Sequence, residues 1–197
     1  MSCASKLNLT IIQGATFSKA IHWYGGGKVC KLIEDLVPGC PTKITITGHG
    51  LPSVSDTPIF LSHVKGATRA NTDETTPAIA TYIDDDNFYV DVDTVAQTYT
   101  ANTGLLTYFS PKDITSYTAR MDIRESIDDD DAVLSLTSPT ELSLRTADAR
   151  ILITIADTVT STLAFEEGVY DLELEDSSGV VTRLVEGTVT LCKEVTR

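Results

Sequence analysis

The chain has 197 residues and sets 15 Lys and Arg against 28 Asp and Glu, a formal net charge of −13. Such a surface repels a phosphate backbone instead of displacing its counterions, which argues against nucleic acid as a partner. No apolar run approaches the roughly 20 residues that cross a bilayer, and the opening MSCASKLNLT lacks the basic start and apolar core of a signal peptide, so folding in a cytoplasm with no membrane partner is expected.

Residues 7–24 hold two strand candidates. Leu7 to Ile12 alternates, with Leu7, Leu9 and Ile11 on one face, and Phe17 to Tyr24 follows after a Gln13-Gly14 turn. Gly25, Gly26 and Gly27 interrupt this pattern, and Pro38, Gly39 and Pro41 mark a boundary. Beyond it come short strand candidates at Lys43 to Thr47, Ile59 to Val64, Ala78 to Ile83, Phe88 to Val92 and Leu105 to Tyr108, enough for an all-β module of about seventy residues. Strand patterning resumes at Tyr117 to Arg124, Ala132 to Leu136 and Arg150 to Ile155. Asp157 to Leu163 reads as one helical turn with Asp157 as its cap. Gly168 to Arg197 reads as a complete β-hairpin. Tyr170, Leu172 and Leu174 alternate with Asp171, Glu173 and Glu175, Asp176 to Gly179 reverses the chain, and Val189, Leu191 and Val195 mark the return strand.

The opening LTIIQGATFSKAIHWY and the closing hairpin, with its Tyr170-Asp171-Leu172 run and its Arg183-Leu184-Val185-Glu186-Gly187 return, resemble the first and last segments of small immunoglobulin-like domains in tailed-bacteriophage virion proteins. The text between them resembles the small β-barrel module first named for a domain of ubiquitin-activating enzymes. The matching positions are Gly48-His49-Gly50, the Val64-Lys65-Gly66 turn with Asn71, and Asp86-Asn87-Phe88. Nothing else of such an enzyme is present, neither a nucleotide-binding glycine loop nor a cysteine in a catalytic setting. These resemblances imply an all-β chain, an immunoglobulin-like β-sandwich formed by residues 1–37 and 111–197 with a small β-barrel, residues 38–110, inserted into a host hairpin. They also imply a non-enzymatic virion structural protein, made in the bacterial host cytoplasm and without a cofactor. It would bind other phage virion proteins at the neck, tail or baseplate, in a symmetric homo-oligomeric ring or array. A receptor- or glycan-binding tail fibre component is the alternative. Exposed sandwich edges make β-augmentation between copies one mode of contact.

Four scattered cysteines, Cys3, Cys30, Cys40 and Cys192, form no CxxC pair, so four thiols are the default. Cys30 and Cys40 would bridge only if their Cα atoms came within about 7 Å. With Val189 and Leu191 facing the core, Cys192 faces outward, a candidate for a contact between subunits. The acidic runs Asp84 to Asp86 and Asp128 to Asp131 suggest calcium, but neither has EF-hand spacing, and solvated turns are the better reading. Of His22, His49 and His63, none belongs to a legible catalytic constellation. His49, between two glycines, suits a structural turn role and His22 a packed or half-exposed sheet position. Among the aromatics, Tyr117 and Tyr170 fall at core positions, while Trp23 and Tyr24 beside the triple glycine are the candidate exposed patch.

Overall fold

The computed structural model describes residues 4–72 and 75–194, and it is all-β, with its sheets packed in a sandwich-like arrangement. Cys3 and Val195 lie outside the described residues. In chain order the first strands are β1 (Ser5–Lys6), β2 (Leu9–Ile12) and β3 (Phe17–His22). Then come β4 (Lys28–Leu32), β5 (Asp35–Val37), β6 (Thr42–Thr45), β7 (Ser55–Ser62), β8 (Ala78–Tyr82), β9 (Asn87–Val90) and β10 (Leu105–Phe109). The last are β11 (Thr118–Arg124), β12 (Leu134–Thr137), β13 (Leu142–Arg145), β14 (Arg150–Ile155), the helical turn α1 (Asp157–Thr160), β15 (Glu167–Glu175) and β16 (Val181–Cys192). Contacts divide the chain into residues 1–23 with 113–197, and residues 24–112.

The first unit is a two-sheet sandwich. One sheet runs β1-β16-β15-β11-β12, with β2 also paired to β16, and the other runs β13-β14-β3. Alternation explains the layers. Met121, Ile123, Leu172, Leu174, Val189 and Leu191 from one sheet and Ile151, Ile153 and Ile155 from the other are buried together in one core. Tyr170 is buried there too, and its hydroxyl donates to the Leu7 carbonyl at 2.7 Å, fixing the break between β1 and β2. Across that break Gly187 is obligatory, because a Cβ there would lie 2.1 Å from the Leu7 carbonyl oxygen.

The second unit is a closed barrel. Its strand order is β4-β10-β7-β8-β9-β6-β5. The two ends of that order, β4 and β5, are successive parts of one stretch, where the Ile33 N–H bonds Gly104 and the Glu34 N–H bonds Thr45. One run of chain thus pairs with β10 by its first half and with β6 by its second, and the sheet meets itself. Ile44, Ile59, Leu61, Phe88, Leu106 and Tyr108 fill the interior.

Several expectations change. The barrel unit begins at Tyr24 and not at residue 38, because Lys28–Leu32 is barrel strand and not host. The insertion does not interrupt a hairpin: β3 and β11, which flank it, belong to different sheets. The Gln13-Gly14 turn likewise carries the chain from β2 in one sheet to β3 in the other. Asp157 is the first helical residue; Ala156 is the cap and offers no side-chain bond. Cys30 and Cys40 are free, exposed thiols.

Candidate interaction surface

The two outer faces of the molecule's sheets differ in chemistry. On the large sandwich sheet the outward side chains are charged and interlocked. Arg120 binds Glu173 at 2.7 Å, Arg183 binds Asp171 at 2.9 Å, and Arg124 lies 3.4 Å from Asp122. Asp122 and Asp171 face each other across β11 and β15, and Asp171 faces Glu186 across β15 and β16. Burial pushes the Asp171 carboxyl up, and the neighbouring Glu173, Asp122 and Glu186 add to that against the pull of Arg183. The three arginines of this face are paired within it, and its carboxylates outnumber them.

The barrel wall over β4, β10 and β7 is different. β10 sends Leu106 and Tyr108 inward, so Leu105, Thr107 and Phe109 point outward. Leu105 sits between Leu32 and Ser62, Thr107 sits between Cys30 and Phe60, and Phe109 sits beside Lys28. Pro58 and Ile79 continue the apolar surface onto β8. Leu32 is 69% exposed and Phe109 41%; Lys28 sits at one margin of the patch, and the Asp91 carboxylate, which accepts the Ile79 N–H at 2.7 Å, at the other. Leu32 also borders a groove of about 380 Å³ lined by Ile33 and Ile46, with Lys31, Glu34, Thr47 and Asn102 around them. These side chains form a contiguous apolar patch on the outer face of the sheet, the kind of surface that protein contacts use. The signal was present in the sequence: LLTYF and TPIFL are apolar at both strand parities, as in strands buried on both faces.

The sheet edges are mixed. Among the described residues of the barrel, β4 pairs only with β10 and β5 only with β6, so each has one side without a ladder partner. In the sandwich, Lys19 on the edge strand β3 has the core-facing parity, opposite Ile153, yet is exposed, an inward charge that discourages strand addition. On β12 the Glu141 carboxylate accepts the Thr137 N–H at 3.1 Å, occupying part of that edge.

The other candidate residues scatter. Cys192 faces outward on β16, as Val189 and Leu191 require. Trp23 is packed against the sandwich core with its ring edge-on to Tyr117 at 5.7 Å, and Tyr24 is half-buried in the other unit, so the two form no exposed patch. Tyr99 and Tyr108 are spent internally, donating to the carbonyls of Thr103 and His49. His49 is fully buried. Its Nδ1 accepts the Leu51 N–H at 3.0 Å and its Nε2 donates to the Asp84 carbonyl at 2.8 Å, while the positive φ belongs to Gly48 and Gly50. Asp84 closes the β8–β9 turn: the Asn87 amide and the Asp86 N–H bond its carboxylate and hold its pKa down. His22 is half-buried, 3.5 Å from Asp148. Among the described residues no helix is long and apolar enough to cross a membrane.

No family model and no curated protein matches this chain.

Proposed function

We propose that the protein is a non-enzymatic structural component of a tailed-bacteriophage virion that binds other virion proteins at the neck, tail or baseplate. Its opening and closing segments resemble virion immunoglobulin-like domains, and the intervening segment resembles a barrel module found in phage structural proteins. The observation that carries a binding role is the apolar outer wall of the barrel around Leu32, Leu105, Phe109 and Phe60. The mechanism is recognition without turnover. Covering a side chain such as Leu32 or Phe109 stabilises a complex by about 1.5–3 kcal/mol at most, so one wall is a modest contact and repeated copies supply the rest.

Mass spectrometry of particles purified from the strain or phage that encodes the chain tests the reading first: the protein is expected among the stoichiometric components. Its absence from intact particles that assemble normally contradicts a virion role. Particles made with Leu105→Lys and Phe109→Asp together test the wall, and should lack the protein while the free variant remains folded.

A further inference from the structure

The small sandwich sheet carries a feature that the binding wall does not explain. Arg145 on β13, Arg150 on β14 and His22 on β3 are register partners in a single row. All three have outward parity, since Ile151 and Ile21 beside them are core. Asp148 lies against this row fully buried, and both its oxygens go to Arg145, Nε to Oδ1 at 2.7 Å and the second pair through Nη2 and Oδ2. His22 Nδ1 is 3.5 Å from Oδ2. One carboxylate thus serves Arg145 and leaves Arg150 over. The Arg150 Nε is shut off from water and has no hydrogen-bond partner, an orphaned donor on a cation, which typically costs about 1–3 kcal/mol. Ala149, between Asp148 and Arg150, takes a left-handed φ of 49°, a strained choice for a residue with a side chain. The row is held at local cost, and it sets two arginines and His22 against one carboxylate on a chain of net −13. Beside it, outward Leu152 and Ala20 form an apolar step.

The complement lies at the other end of the same sandwich. Trp23, next to the row, meets Tyr117 just before β11, and the seven residues of β11 run about 23 Å to Arg124. There the chain forms an acidic tip. Arg124 Nη1 donates to the carbonyls of Asp129 and Asp130 at 2.6 Å each, and the Ser126 N–H donates to the Asp129 carboxylate at 2.7 Å, so the tip is preformed. Ile127 is 79% exposed, the largest exposure among the large apolar side chains. Asp128, Asp130 and Asp131 are exposed, and their carboxylates make no hydrogen bond among the described residues.

We propose that copies of this chain associate head to tail, the Ile127–Asp131 tip of one docking on the Arg145–Arg150–His22 row of the next. A carboxylate of the tip meets the outer nitrogens of the half-buried Arg150 guanidinium, whose Nε stays covered, and Ile127 rests on Leu152 and Ala20. Acid beside apolar on the tip matches base beside apolar on the row. Because the two surfaces differ and lie at opposite ends, the contact is heterologous, and repetition closes a ring or extends a filament. It stands whether or not the protein belongs to a virion.

Sedimentation velocity over a concentration series, at low and at high salt, tests it with the full chain. The wild type should associate at low salt and dissociate as screening shortens from roughly 30 Å at 0.01 M to 3 Å at 1 M. The surface triple variant Asp128→Asn, Asp130→Asn, Asp131→Asn should lower the association constant at least tenfold, and Arg150→Gln should do the same. A mixture of charge-reversed variants, Arg150→Glu with Asp130→Lys, should regain the association that neither shows alone, since the tip of the first meets the intact row of the second and the two reversed charges meet each other. A wild type that stays monomeric at every concentration and salt overturns the proposal. So does association that the triple variant leaves unchanged, or that either reversed variant forms alone as well as the wild type does.

Discussion

The sandwich and the barrel face the same physical problem, strands with one side committed to a core and the other free, and they answer it differently. On the large sandwich sheet Arg120, Arg183, Asp171 and Glu173 pair with one another, so the outer face is a lattice of charges. On the barrel, Leu32, Leu105, Phe60 and Phe109 lie in neighbouring register positions with a single lysine among them. Equal folding requirements thus leave unequal surfaces. The surplus apolar residues on the barrel contribute little to its interior, which Phe88, Leu106 and Ile44 already fill.

Substitutions separate the two regions, and the largest effect belongs to the sandwich. Arg145→Leu strands the buried Asp148 carboxylate and should cost about 3–5 kcal/mol, read by chemical denaturation of the sandwich. Burial alone would push the Asp148 carboxyl up, but the Arg145 bond and the charges of Arg145, His22 and Arg150 outweigh it and hold the pKa below its usual 3.8. A depressed folded value contributes stability that is full above the unfolded value and lost as pH falls through the folded one, so the wild-type sandwich should weaken only below about pH 4. Next comes His49→Ala in the barrel. It removes two buried hydrogen bonds and the ring contacts to Phe88 and Tyr82, and should cost about 3 kcal/mol, with amide exchange rising in residues 24–112 and unchanged in the sandwich.

Tyr170→Phe is milder. Loss of the bond to Leu7 should cost about 1 kcal/mol at neutral pH. Burial pushes the Tyr170 hydroxyl up to about 12 from 10.0, so the wild type should lose stability between those pH values, as the unfolded chain ionises first, and the variant should lose less. The smallest effect on stability belongs to the barrel wall. Leu105→Lys and Phe109→Asp should each change barrel stability by no more than about 0.5 kcal/mol while abolishing partner binding; a loss of several kcal/mol would make the wall structural.

Much of the architecture was legible from period-two patterning. The terminal hairpin, β14 and the barrel strands after Pro41 stand close to where Tyr170, Ile151 and Phe88 placed them, because one-sided burial writes itself into alternation. The strands that escaped did so for local reasons. Lys28 to Val37 closes the barrel by changing partners midway, and its alternation breaks at Glu34-Asp35, both exposed, just after one pairing hands over to the other at Ile33 and Glu34. Leu142–Arg145 is only four residues long and follows Pro139. The surface was harder to read than the fold. Leu105 to Phe109 is apolar at both parities, and without the register that sets it beside Leu32 and Phe60 it reads as an ordinary core strand. The Arg145–Arg150–His22 row is likewise spread over three strands and has no local signature.

An image reconstruction of the intact particle, with density for this chain located, tests the central claim most directly. The account predicts the barrel wall around Leu105 and Phe109 buried against another virion protein. Density that places the chain in the particle with that wall open to solvent, or a complete particle in which no density fits the chain, would contradict it.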